Sequence, residues 1–211
     1  MTTYRREQRI KEILSKRQPD LRVVLENIKN THNASAVVRT CDAAGVMCVD
    51  IIGSGPFPVN EAISTRVEKW LSFSHYNSPE ECIPLLKKKG FTVAATHLGR
   101  SAVEYLDFDY SRPVALVFGN EAEGISPEAL RLADCAVKIP MFGMSQSLNL
   151  SVSAGVILYE AIRQRREAGY LFSTPLSERE MERIEKQWRM NDLIRRRKRK
   201  KKGPGIDPGP L

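Results

Sequence analysis

Four small polar residues, Ser145, Gln146, Ser147 and Asn149, crowd the start of the stretch SQSLNLSVSAGVILYE (145–160), just ahead of an apolar run with helical spacing. A helix N-terminus leaves backbone N–H groups that need acceptors, and capping accounts for one or two such residues, not four. The surplus reads as a ligand-lining surface, with Met141, Phe142, Met144 and Leu148 as apolar walls. A second candidate is LVFGNEAEGIS (116–126), where Gly119 and Gly124 flank the carboxylates Glu121 and Glu123. It is neither a dinucleotide fingerprint nor a Walker loop, and two carboxylates repel phosphate. They suit a cationic or hydroxyl-bearing ligand; a solvated turn is the alternative. The third candidate is NASAVVRTCDAAG (33–45), in which Arg39 is a lone cation on a helix of small residues. Helical spacing puts Val37, Val38, Cys41 and Ala44 on one face, and Ser35, Arg39 and Asp42 on the other. Each functional reading here has a plain competitor: Arg39 paired with Asp42 at the surface, and Asn33 as an ordinary N-cap.

The elements that must carry these residues alternate. A basic helix is expected over 4–17, a strand over 21–28, a helix over 33–44 stopped by Gly45, and a strand over 46–53 running into the loop GSGPFP. A helix over 79–90 opens with Pro79 and is limited by Pro84. Strands follow at 91–96, 113–119 and 135–140, with a helix over 126–134 capped by Ser126 and started by Pro127. A long helix spans about 147–168, a linker 168–175, and a last helix begins at Ser177 and runs into RRRKRKKK; the end, GPGIDPGPL, has the composition of a disordered tail. Apolar strand runs between helices indicate an α/β domain with a buried, largely parallel sheet. Such sheets bind ligands at the carboxyl ends of their strands, here loops 97–100, 120–126 and 141–149.

Composition narrows the class. The 211 residues suffice for one domain with a proper core, and no run is apolar enough to span a membrane. The charged start MTTYRREQRIKEIL lacks a signal core. Cys41, Cys48, Cys82 and Cys135 are scattered and form no C-x-x-C pair, so free thiols in a reducing cytoplasm are expected. His32, His75 and His97 have no metal-like spacing, and no metal is expected. The net charge of +8 is unevenly placed: +4 within 1–22, +7 within 189–211, and −3 between them. An acidic body between basic ends suggests arms that grip a polyanion. The expected organisation is a basic helical extension (1–20), a sheet domain (21–168), and a C-terminal helix with a basic tail (169–211).

NTHNASAVVRTCDAAGV, LVFGNEAEGIS and IPMFGMSQSLNLSVSAGVILYE resemble, in order and spacing, the three signature motifs of the SpoU-type SPOUT RNA 2′-O-methyltransferases. The basic first helix, the wording LENIKNTHNASAVVRTCDAAGV and the basic tail look most like the TrmH branch, over roughly residues 1–190. The resemblance implies a parallel-sheet domain ending in a deep trefoil knot, S-adenosyl-L-methionine as cofactor, an obligate homodimer, and methylation of the ribose of guanosine 18 in the tRNA D-loop. Asn33 and Arg39 match the first-motif Asn and catalytic Arg, Glu121 the second-motif Glu, and Ser147 and Asn149 the third-motif pair. By the same analogy Leu98, Gly119, Gly124, Ile139, Met141, Leu148 and Leu150 line the cofactor pocket. Arg5, Arg6, Arg9, Lys11, Arg195, Arg196 and Arg197 in the arms would hold RNA phosphates.

A ribose hydroxyl is a poor nucleophile until its proton leaves. None of the five matched polar residues is a histidine. The family proposal gives the base role to the arginine, whereas a guanidinium normally stays protonated. A role in orienting the ribose and its phosphate, and in stabilising a developing alkoxide, therefore stands beside it. Two rivals remain at this level: a non-catalytic RNA-binding protein of the same fold, and the same enzyme acting on ribosomal RNA. Ribosomal relatives often carry a domain before the first motif, and the roughly thirty residues here favour tRNA.

Overall fold

The computed structural model describes residues 4–170 and 176–201, with side chains through Ile194. GPGIDPGPL and most of the 168–175 linker fall outside the described residues. The chain divides into two compact units: residues 16–175, and residues 1–15 together with 176–211.

The larger unit is built on a seven-stranded sheet in the order β3-β2-β1-β6-β4-β7-β5, every pair parallel. Its elements run β1 (Gln18–Glu26), α2 (Thr31–Ala43), β2 (Val46–Ile52), β3 (Ser72–Tyr76), α3 (Pro79–Lys88), β4 (Thr92–Thr96), β5 (Val103–Glu104), β6 (Val114–Phe118), α4 (Pro127–Leu132), β7 (Cys135–Lys138) and α5 (Leu150–Glu167). The sheet is covered on both faces, which is why its strands read as apolar runs rather than alternating ones. Val23, Leu25, Leu116 and Phe118 point into one core with α2 and α5; Val24, Val93, Ala115 and Val117 point into the other with α3 and α4. β6 lies between β1 and β4, so the strand order reverses at the sheet's centre and opens a crevice at the carboxyl ends.

Local chemistry sets the element ends. Ser126 Oγ caps α4 by accepting from Ala129 N, with Pro127 in the first turn. Pro84 does not stop α3, which continues to Lys88; it sits on the exposed side, where water can satisfy the freed carbonyl. Two elements escaped the sequence reading. The edge strand β3 has only partial burial, and β5 is two residues long. A long connection, 53–71, joins β2 to β3 through the 3-10 turn Val67–Trp70, which packs on α2. β1 begins at Gln18, so residues 16–20 belong with the sheet rather than with the amino-terminal extension.

The smaller unit joins the two chain ends. α1 (Tyr4–Leu14) and α6 (Glu178–Lys201) pack together. Arg6 grips Asp192 with two hydrogen bonds of 2.9 and 2.7 Å, and Arg189 lies 3.5 Å from Glu7. Ser177 and Glu180 form a capping box at the start of α6. No described helix is long and apolar enough to cross a membrane.

Candidate active site

A cavity of about 470 Å³ opens at the carboxyl end of the sheet, between the ends of β4, β6 and β7 and the start of α5. Phe118, Val137 and Ile157 form part of an apolar floor that continues the core. Leu98, Gly119, Glu121, Gly124, Ile139, Met141, Ser147, Leu148, Asn149 and Leu150, all expected at a cofactor site, line this one cavity. His97, Asn120 and Glu123, which the sequence reading placed in candidate loops without assigning them to the cofactor, line it too, as do Lys138 and Ser153, which that reading did not single out. His97 and Lys138 sit at strand ends, a position signal that the strand assignments already contained.

The loop after β6 is shaped by its glycines. A Cβ on Gly119 would lie 2.0 Å from the Gly124 carbonyl oxygen, so no side chain fits where the loop closes on itself. Gly124 has φ +72°, and its N–H donates to Asn120 O at 2.9 Å. Asn120 Oδ1 accepts from Ala122 N and Glu123 N at 2.9 and 2.7 Å, which fixes the turn.

Three distant segments meet through side-chain amides. Asn33 Nδ2 donates to Glu121, and Asn149 Nδ2 donates to Asn33 Oδ1 at 3.0 Å. Asn149 Oδ1 in turn accepts from Ser151 N and Ser151 Oγ, capping α5. Asn33 is therefore no N-cap: Asn30 caps α2 by accepting from His32 N and Asn33 N, and Asn33 sits buried in the first turn. Of the four small polar residues that opened the question, Asn149 caps, and Ser147 and Asn149 line the cavity. Ser145 and Gln146 stay exposed beside Phe142 and Met144, which are 96% and 100% exposed.

Arg39 is exposed on α2 and forms no hydrogen bond or ion pair among the described residues. Asp42 is not its partner, because Arg17 holds Asp42. Ser35 is fully buried rather than sharing an open face with Arg39: Asn60 N, from the long β2–β3 connection, donates to its Oγ at 2.9 Å. Arg39, one turn further on, emerges beyond that cover. Arg39 does not line the cavity of its own chain. In the smaller unit Arg5 is exposed, Arg6 is committed to Asp192, Arg9 to Glu12 at 2.8 Å, and Lys11 is exposed. Arg195, Arg196 and Arg197 lie on α6, where the side chains fall outside the described residues. The cysteines are free thiols, and burial pushes Cys41 and Cys82 up to about 12. Among the described residues no group of three His, Cys, Asp or Glu side chains could hold a metal ion.

The model of the SpoU rRNA methylase family matches residues 20–159, which contain every residue of the amide junction. The chain belongs to the SpoU methylase family. Within this family it is similar to the tRNA (guanosine(18)-2′-O)-methyltransferase of Aquifex aeolicus, 44% identical over 197 residues, covering 92% of this chain and 93% of that protein. The solved structure of the A. aeolicus TrmH/SpoU tRNA modifying enzyme superposes with a TM-score of 0.86 at 43% identity, over 90% of this chain and 98% of the other. The AdoMet-bound rRNA methyltransferase of Sinorhizobium meliloti superposes with a TM-score of 0.63 at 32% identity, over 73% of this chain and 59% of that one. In this chain the scaffold brings Glu121 and Asn149 to the cavity lining, with Asn33 hydrogen-bonded to both.

Proposed function

We propose that the chain transfers a methyl group from S-adenosyl-L-methionine to the ribose 2′-oxygen of a guanosine in tRNA, namely guanosine 18 of the D-loop. The observation that carries this reading is the junction of the three family segments, Asn33, Glu121 and Asn149, beside a cavity of the right size and chemistry. The names of the curated relatives supply the substrate.

The cavity fits the cofactor. Its volume lies within the ordinary range for a small-molecule site, with an apolar floor and a few polar groups at the rim. Leu98, Ile139, Met141, Leu148 and Leu150 would enclose the flat base, while Glu121, Ser147 and Asn149 would meet hydroxyl and cationic groups. The bound cofactor supplies an electrophilic methyl on a sulfonium. Charge is dispersed as the methyl moves, so a largely apolar cavity that positions both reactants favours transfer. Arg39 would act on RNA rather than on the cofactor; its exposure, with no carboxylate paired to it among the described residues, supports this. It would orient the ribose and the adjacent phosphate and stabilise the developing alkoxide, with the proton leaving to a phosphate oxygen or water.

A homodimer completes the reading. Arg39 lies outside its own chain's cavity, and Val152 and Tyr159 leave apolar surface exposed on one side of α5. A second copy covering that surface would bring its Arg39 to the neighbouring cavity. The trefoil knot belongs to the same reading, supported by the chain's return from the cavity rim at Asn149 to pack α5 on α2. The basic arms supply phosphate contacts, and the setting is the cytoplasm. The test is incubation with methyl-labelled cofactor and separate tRNA and rRNA pools, followed by mapping of the modified nucleotide. Label at guanosine 18 of tRNA is expected. Label confined to rRNA reassigns the substrate, and the absence of label from both pools sinks the enzyme reading.

A further inference from the structure

Glu26 is the last residue of β1, and its side chain is almost wholly buried at 1% exposure. Its carboxylate is spent on one residue. Oε2 accepts from Ser126 N at 3.0 Å, and Oε1 accepts from Ser126 Oγ at 2.5 Å. Ser126 Oγ also accepts from Ala129 N, so the same hydroxyl starts α4. A buried carboxylate loses its hydration, and an apolar residue would hold a strand to a helix more cheaply. What it provides is fixed geometry. Ser126 closes the loop that begins at Gly119, and Glu121, Glu123, Gly124 and Ile125 of that loop all line the cavity. The front of the loop is held by Asn33 through Glu121. The turn between β1 and α2 therefore clamps the loop at both ends, with Glu26 behind and Asn33 in front.

We infer that Glu26 is a positioning residue for the cofactor: through Ser126 it sets the far end of loop 119–126 against the cavity, and cofactor affinity depends on it. This rests on the reading of the cavity as the S-adenosyl-L-methionine site. Two hydrogen bonds to Ser126 hold the far end of the loop, and their loss loosens the lining residues between the clamps.

The test uses full-length protein with Glu26→Ala, Glu26→Gln and Ser126→Ala, and with Leu21→Ala as a control. Leu21 is fully buried in β1, five residues before Glu26 and beside Val114 at the start of β6, so its truncation costs stability away from the cavity. S-adenosyl-L-methionine is titrated calorimetrically below each variant's melting temperature, and methyl transfer is followed with tRNA. Glu26→Ala should weaken cofactor binding about tenfold or more, and Glu26→Gln, which keeps one acceptor oxygen, should recover part of it. Ser126→Ala should weaken binding about threefold, since the N–H contact survives. The KM for cofactor should rise in step while kcat at saturation stays within about twofold of wild type. Where Glu26→Ala does not fold, Glu26→Gln and Ser126→Ala carry the same test. Wild-type affinity in those two, or an equal loss in Leu21→Ala, overturns the inference. If the wild-type chain itself binds no S-adenosyl-L-methionine, the reading of the cavity falls first.

Discussion

Asn149 reaches across 116 positions of sequence to donate to Asn33, and the same side chain caps the helix it precedes. One amide thus ties the start of α5 to the first turn of α2. Asn149→Ala removes both functions at once. It should cost about 1 kcal/mol or more in stability from the lost cap and weaken cofactor binding, with Asn149→Asp restoring the cap but not the donor. Thermal unfolding and cofactor titration of the two variants separate these effects. Wild-type cofactor affinity in both would show that the link to Asn33 does not shape the cavity.

Arg39→Ala should abolish methyl transfer while leaving cofactor affinity within about threefold, because the side chain lies outside the cavity lining. Arg39→Lys should rescue little, since lysine lacks the planar fork. Single-turnover assays with tRNA decide the matter; sustained turnover in Arg39→Ala removes the residue from the chemistry.

Mixing subunits tests whether sites are shared. An Arg39→Ala protein, inactive alone, and an Asn149→Ala protein, impaired in cofactor binding, should together exceed the activity of either at limiting cofactor, because one cavity of the hybrid can pair an intact pocket with an intact arginine. Sedimentation at micromolar concentration should show a dimer. A fully active monomer rules the arrangement out.

The arms call for a cut chosen from the structure. Truncation at residue 189 would remove Asp192 along with the cations and so release Arg6 from its paired hydrogen bonds. Removing residues 195–211 instead leaves Trp188 and Asp192 in place. This variant should lose tRNA affinity and show a shallower dependence on salt, while its cofactor affinity holds. Affinity measured across a salt series checks it; identical slopes assign RNA gripping elsewhere.

Burial of Cys41 and Cys82 fixes a pH response. Both thiols are pushed up to about 12 from an ordinary value of 9.0, chiefly by desolvation. The unfolded chain therefore loses these protons at lower pH than the folded one. Their contribution is intact below about pH 9 and is lost as pH rises towards 12, at up to about 1.4 kcal/mol per thiol per pH unit. Urea unfolding at pH 8 and pH 10.5 should show the drop, and Cys41→Ala with Cys82→Ala should flatten it.

The sequence was informative wherever local chemistry and long-range packing agreed. Ser126, Pro127 and Ser177 mark helix starts because capping is a local interaction, and β1 and β6 read as buried strands because both faces of the sheet are covered. β3 and β5 stayed hidden because edge strands are neither long nor fully buried. The cap of α2 was misplaced by one turn: Asn30 and Asn33 are chemically the same, and only the presence of Glu121 and Asn149 nearby tells which one caps and which one joins the amide junction. Ser35 failed for a related reason, since the connection that covers it comes from twenty-five residues further on. Resemblance to the family motifs named the cavity lining, but the Glu26–Ser126 clamp spans 100 positions and has no local signature.

The sheet order bears on how the chain reaches this state during synthesis. β1, β2 and β3 pair in sequence in the order they leave the ribosome, so three of the seven strands can assemble early. β4 has no such opportunity, because both of its neighbours, β6 and β7, come later in the chain. Until β6 is made, β1 and β4 each present an open strand edge to whatever else is in solution. Arrival of β6 fills the central slot and closes both edges in one step. A nascent chain stalled between Thr96 and Val114 is therefore the species most exposed to misassembly and the one with most need of a chaperone's shelter.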